Sequence, residues 1–292
     1  MVEQLVRRVT PEVIKRGAQS MPSAPRVYAR LQDLLERDDS TMDDVVDMVR
    51  LDSGLASGVL RLSNSPIFRR GSPVCSLDEA INRIGMREVN RIVGVTLAGQ
   101  LFTSVLPLYG VDGEALWQNS LTTALAMSFL ATASMENERQ AYTLGLLRPV
   151  GRVILQKLAL TTPGRFEPLP PQSTGAAATE WEQKQFGASN AEVTALLLAE
   201  WGFSVPLCTA VRQHMRPPVG AAYGRLAAIL HVACWTAETL GKGLPGEIRA
   251  WNLDESVLGQ AGLRESIAHD CVLETRTELN RLRAMVQQAP RP

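Results

Sequence analysis

The sequence predicts an all-α protein built as two helical lobes. Nearly every segment of the 292-residue chain spaces its apolar residues at helical rather than alternating intervals. No segment reads convincingly as a strand. Turn residues cluster in "PLYGVDG" at residues 107–113, and this is where the border between the lobes is expected.

The first lobe opens with a loop punctuated by Pro22 and Pro25, after which Val27, Leu31, Leu34 and Leu35 form one helical stripe. "STMDDVVDMVRLDSGLASGVLRLSNSP" reads as two short helices. Ser40 or Thr41 can cap the first, with Asp43 and Asp44 in its first turn, where the helix dipole favours acids. Ser53 is the expected cap of the second, and Pro66 stops it. Ser76 and Glu79 have capping-box spacing, Gly85 breaks the next helix, and a longer apolar helix starts near Met86. The second lobe begins with the strongly apolar "EALWQNSLTTALAMSFLATAS". Residues 161–178 hold four prolines and read as a surface loop. The tail is expected to hold a short helix and a longer amphipathic one, with Val272, Leu279, Leu282 and Val286 on one side.

Composition excludes several classes of protein. Lys plus Arg and Asp plus Glu both number 30, so the chain has no overall electrostatic footprint for nucleic acid. Helix-turn-helix spacing occurs at 42–62 and 78–98, but the second helices are poor in basic residues, and packing accounts for them better. No run of 18 apolar residues exists, so no membrane span is expected. The N-terminus lacks the apolar core of a secretory signal. Cys75, Cys208, Cys234 and Cys271 are scattered, which suits reduced thiols in a cytoplasm. The motif G-x-S-x-G is absent, and no glycine-rich loop follows a strand.

The stretches "MPSAPRVYARLQDLL", "DDVVDMVRLDSGLASGVLRLSNSPIF", "SLDEAINRIGMREVNRIV", "LWQNSLTTALA", "LGLLRPVGRVIL", "FGASNAEVTALLLAEWGFSVPLCTAVRQH" and "LAAILHVACWTAE" follow one another over roughly residues 20–240. In this order they resemble the HDOD family, the HD-related output domains of bacterial signalling. The resemblance implies an N-terminal helical lobe over 1–110, an HD-like helical lobe over 111–245 and a C-terminal helical extension over 246–292. It also implies a regulatory role.

HD-type phosphohydrolases hold divalent metal through His and Asp residues, since neutral imidazoles and carboxylates suit a cation that polarises phosphate. Matched by eye, this chain carries Asn119, Arg148-Pro149, Asn190, His214-Met215 and Cys234 at those places. Arginine is a permanent cation with no lone pair to offer a metal, and proline has no side-chain ligand atom. The resemblance therefore implies a degenerate pocket of Asn119, Arg148, Asn190, His214 and Cys234, with no metal, no cofactor and no catalytic residue. That pocket could take an anion, because arginine offers forked donors to phosphate; the plainer reading is that Arg148 pairs with a carboxylate. Cys208, His214, His231 and Cys234 could form a Cys/His zinc site, although buried cysteines are usually core residues. Pro149 is expected in the first turn of a helix and should bias Arg148 away from helical geometry.

The function expected is a non-catalytic regulatory domain acting through another signalling protein or a small anionic ligand. A homodimer through the C-terminal helix is one further possibility, and simple packing of that helix is the other. A metal-dependent phosphohydrolase or phosphodiesterase is the alternative.

Overall fold

A computed structural model describes residues 9–288 apart from 20, 22–23, 38, 66–67, 69–71 and 163–164, with the backbone alone at 24 and 283–288. In the first half lie α1 (Pro11–Gln19), α2 (Ala24–Glu36), α3 (Met42–Arg50), α4 (Ser53–Ser63), α5 (Leu77–Ile84) and α6 (Met86–Leu101). A 3₁₀ turn at Pro107–Tyr109 leads to α7 (Gly113–Ala133), α8 (Glu138–Leu147), α9 (Val150–Thr161), α10 (Ala176–Phe186) and α11 (Asn190–Glu200). The chain continues through α12 (Val205–Gln213), α13 (Gly224–Thr239), α14 (Glu255–Ala261) and α15 (Glu265–Gln288). Among the described residues there is no strand, only the isolated bridges Leu106–Val111 and Thr174–Gly246. No described helix is long and apolar enough to cross a membrane.

Local chemistry sets the helix starts. Thr41 caps α3 in a reciprocal box: its hydroxyl accepts from Asp44 N at 3.3 Å and its own N–H donates to Asp44 Oδ2 at 2.8 Å. In α4, Ser53 is the first helical residue rather than the cap. Asp52 caps it instead, Oδ1 accepting from Gly54 N and Leu55 N at 3.0 Å each. A carboxylate there satisfies two free N–H groups and adds a negative charge to the positive helix end. Ser76 caps α5, and Gly85, with φ +85°, separates α5 from α6.

Helices α2 to α6 form the first lobe around Tyr28, Leu31, Val49, Leu55, Val59, Ile81 and Leu97, all buried. Helix α6 then packs on α7 and α8, making the seam between lobes. The Tyr28 hydroxyl receives a hydrogen bond from Thr143 at 3.2 Å, Tyr142 donates to Arg91 O at 3.2 Å, and Gln32 binds Asn90. Glu138 receives Arg87 at 2.7 Å and lies 3.6 Å from Arg91.

In the second lobe α7 is buried along nearly its whole length, enclosed by α8, α13 and α15. A helix apolar on all sides belongs inside a bundle. Helices α9, α11, α12 and α13 complete the lobe, and α14 packs on α13. The first helix also belongs here by its contacts: α1 lies on α9 and α11, and Val9 N donates to Phe186 O at 3.0 Å. Helix α15 buries Ala268, Cys271, Val272, Thr275 and Leu279, and Leu282 is half-buried against the core. Val286, the last member of the expected stripe, lies outside the described side chains. The proline-rich loop is pinned at its centre, where Leu169 N donates to Leu108 O at 2.7 Å.

Candidate functional site

The junction of α8 and α9 positions the residue on which the site turns. A residue before proline is sterically pushed out of the helical region, yet Arg148 has φ −45° and ψ −49°. Pro149 stands at the cap position of α9, one residue before the first turn. Tertiary bonds outweigh the local preference. Arg148 O accepts from Thr194 Oγ1 at 3.0 Å, and the same oxygen atom of Thr194 accepts from Gly151 N at 3.0 Å. A Cβ at Gly151 would stand 2.1 Å from Asn190 O, so only glycine lets the first turns of α9 and α11 approach this closely.

The Arg148 side chain is fully buried. Its Nη1 donates to both carboxylate oxygens of Glu247, at 2.9 and 2.8 Å, and its Nη2 donates to Asn119 Oδ1 at 2.5 Å. Asn119 in turn donates from Nδ2 to Lys242 O at 2.7 Å. One helical turn on, Arg152 donates to Glu247 Oε1 at 2.6 Å and to Pro245 O at 2.8 Å. Its guanidinium also lies over the Tyr109 ring, 4.9 Å from the centroid. Burial raises the Glu247 carboxyl, but the two guanidinium groups outweigh it and hold the group down at about 2.

Trp251 covers this cluster. The Arg148 guanidinium is 5.9 Å from its ring centroid, His214 stacks on it at 5.6 Å, and His231 meets it edge-on at 5.1 Å. His214 Nδ1 faces Val211 O at 2.6 Å, and a carbonyl only accepts, so that nitrogen carries the proton. Nε2 of His214 is buried without a hydrogen-bond partner. Burial, with Arg148 beside it, lowers His214 to about 3. His231 is buried: Nδ1 faces His214 O at 2.9 Å and Nε2 accepts from Asn252 N at 3.1 Å. Cys234 is buried, and burial pushes its thiol up to about 12.

Asn190 sits in a neighbouring cluster. Its backbone N donates to Glu182 Oε2 at 2.7 Å, and its Nδ2 donates to Glu182 Oε1 at 2.9 Å. Tyr109 donates to the same carboxylate at 3.0 Å, and Arg152 over the Tyr109 ring connects this group to Arg148. Thus Asn119 and Arg148 are in direct contact, Arg148 and His214 share Trp251, and the Asn190 side chain connects to them only through Glu182, Tyr109 and Arg152.

These residues do not fit a divalent metal. The Asn119 oxygen is taken by Arg148, both His231 nitrogens are committed, and Cys234 stays protonated at neutral pH. Nε2 of His214 offers a lone pair, but beside a fixed cation. Among the described residues no three His, Cys, Asp or Glu side chains gather in a way that could hold a metal ion. Cys208 is half-buried, its sulfur 3.7 Å from Phe203 O.

Glu247, Arg152, Trp251 and Glu182 are absent from the residues singled out in the sequence. Glu247 lies in "GLPGEIRAW", where glycine and proline interrupt any helical pattern. A partial signal existed: Arg148 and Arg152 are one helical turn apart in an apolar stretch, and two such cations need a counter-charge.

The family profile of the HDOD domain matches residues 21–217. An HDOD domain protein of unknown function from Geobacter sulfurreducens superposes with a TM-score of 0.67 at 20% identity, covering 96% of this chain and 99% of that one. A candidate signal transduction protein from Marinobacter aquaeolei VT8 gives 0.67 at 18%, covering 92% and 59%. A candidate phosphohydrolase from Shewanella amazonensis SB2B gives 0.57 at 21%, covering 91% and 98%. An uncharacterized protein of Treponema pallidum is 23% identical over 206 residues, 68% of this chain but only 38% of that relative's length. The structural likenesses establish the fold, and a profile match over most of the chain establishes the family: the chain belongs to the HDOD family.

Proposed function

We propose that this HDOD chain is a non-catalytic regulatory domain of bacterial signal transduction, working in the cytoplasm by binding rather than by turnover. One observation carries the reading. Arg148, which the resemblance pairs with an HD metal-ligand position, is buried in a cluster with Glu247 and Arg152. A fixed cation there opposes a metal ion, and the Asn119 oxygen and both His231 nitrogens are spent on internal hydrogen bonds. The recognition chemistry then falls to the surface, where the partner is another signalling protein. A small anion remains an alternative ligand of the degenerate pocket, and a second copy through α15 remains an alternative partner.

A metal-dependent phosphohydrolase is the second reading. The free Nε2 of His214 favours it, as does the fold shared with the Shewanella amazonensis protein. Metal analysis of the purified chain, combined with a phosphodiesterase assay in manganese, separates the two. The regulatory reading expects substoichiometric metal and no turnover. Stoichiometric metal with turnover lost in His214→Ala would sink it.

A further inference from the structure

We infer that Arg148 and Arg152 form a phosphoryl-binding site, and that residues 240–254 are a strap whose Glu247 fills the site until a phosphate displaces it. The inference rests on the reading above that the chain works by binding, and it names the class of ligand.

The strap joins α13 to α14 and is held over the two arginines mainly by polar contacts. Lys242 O accepts from Asn119, Pro245 O accepts from Arg152, and the Glu247 carboxylate takes both guanidinium groups. On its other side Gly246 O accepts from Gly175 N at 2.8 Å. Among its apolar side chains only Leu244 and Trp251 are buried. The cover is thin. Glu247 is 3% exposed, yet the next residue, Ile248, is 48% exposed, and Arg249 after it is exposed too. Arg249 also has φ +60°, a left-handed backbone that disfavours any residue with a Cβ. Strain of this kind gathers at ligand clamps and switch segments.

The strap's own carboxylate satisfies the site incompletely. Its two oxygens accept three bonds, two from Arg148 and one from Arg152. The Nε–H groups of both arginines are buried and have no acceptor. Nε2 of His214, which shares Trp251 with Arg148, is buried with a lone pair and no donor. Unmet buried donors and acceptors are costly. A monoprotonated phosphate carries three acceptor oxygens for the arginines and one O–H for Nε2. A carboxylate or a sulfate has no proton to give at neutral pH. Forked guanidinium donors suit phosphate as well as they suit a carboxylate, so one can replace the other. Glu182, the neighbouring buried acid, keeps its own donors, Tyr109 and Asn190.

The test is phosphate binding by the full chain, measured by calorimetry, with sulfate as the control. Sulfate shares the salting effect of phosphate but lacks its proton. An attached carboxylate competes at high effective concentration, so the native chain should bind phosphate weakly. Glu247→Gln keeps the shape of the strap and removes its charge. It should bind phosphate at least about tenfold more tightly than the native chain does, and at least about tenfold more tightly than it binds sulfate. Adding Arg148→Met to Glu247→Gln should cost at least about tenfold. A second measurement needs no variant. About 10 mM phosphate, enough to fill a site of millimolar Kd, should speed amide exchange across residues 240–254 of the native chain relative to sulfate at equal ionic strength. Binding of methyl phosphate as well would identify a phosphate ester as the ligand, and binding of inorganic phosphate alone the free ion; both support the site. No phosphate binding, as when ordered water alone meets the unpaired atoms, overturns the inference. So does equal binding of sulfate, indifference to Arg148→Met, or unchanged exchange in the strap. Metal-dependent turnover in the separate assay would instead overturn the non-catalytic reading, whatever phosphate does.

Discussion

Arg148 is a residue whose meaning depends on one carboxylate far away in sequence. A buried ion pair stabilises little compared with a well-packed apolar replacement, but removing one partner strands the other. Glu247→Leu should therefore cost about 3–5 kcal/mol, because two buried guanidinium groups lose their shared acceptor. The double variant Arg148→Met with Glu247→Leu should be less damaging than the two single losses added together. Denaturant unfolding in a double-mutant cycle checks this; additivity within about 0.5 kcal/mol would show that the pair does not act as a unit. The cysteines give a second residue-scale expectation. Cys75 is exposed, Cys208 is partly covered, and Cys234 and Cys271 are buried with thiols raised to about 12 and about 11. A thiol reagent should therefore titrate Cys75 first in the native protein, and Cys234 and Cys271 only on unfolding. Rapid native labelling of Cys234 would contradict the packing around Arg148.

At the scale of elements, the helices were legible because their starts are short-range chemistry. Thr41 and Asp44 are three residues apart, and the capping box they form needs no other part of the chain. Thr41→Ala should cost about 1 kcal/mol, measured by thermal unfolding, with the fold otherwise kept. Asp52 shows where such reading slips by one position: two adjacent candidates both suit the cap, and the carboxylate takes it. The junction of α8 and α9 shows a larger departure. Proline chemistry alone disfavours helical backbone angles at Arg148, whereas Thr194 and Glu247 hold it in them at the end of α8. The same close packing makes Gly151→Ala severe, since the added methyl would meet a backbone oxygen at 2.1 Å. A loss at or above the upper end of the usual overpacking range, about 1–3 kcal/mol, is expected in denaturant unfolding. A loss near zero would show that α9 can shift away from α11.

The whole molecule should be acid-sensitive in two steps. His214 and His231 are buried and held neutral, so their folded values lie below the unfolded value of about 6.5. Their contribution is complete above about pH 6.5 and is lost as pH falls toward about 3 for His214. Each can contribute a slope of at most about 1.4 kcal/mol per pH unit. Glu247 adds a later loss: its pairing is complete above the unfolded value of about 4.3 and fades as pH falls toward about 2. Thermal midpoints should be level from pH 7 to 8 and fall from about pH 6.5 downward. His214→Gln should flatten the first step; an unchanged slope would mean that His214 is not held neutral in the fold.

The sequence by itself determined the helical class and most helix starts. Each of those rests on residue identity or on spacings of a few positions, which local hydrogen bonding and apolar periodicity encode directly. Only the tertiary structure decided which carboxylate meets Arg148 and Arg152. Arg148 meets Glu247 across 99 residues, and α1 leaves the first lobe for α9 and α11. No local pattern selects one carboxylate among 30 acidic residues. Burying two guanidinium groups requires a counter-charge close at hand, and only the packed chain determines which one arrives.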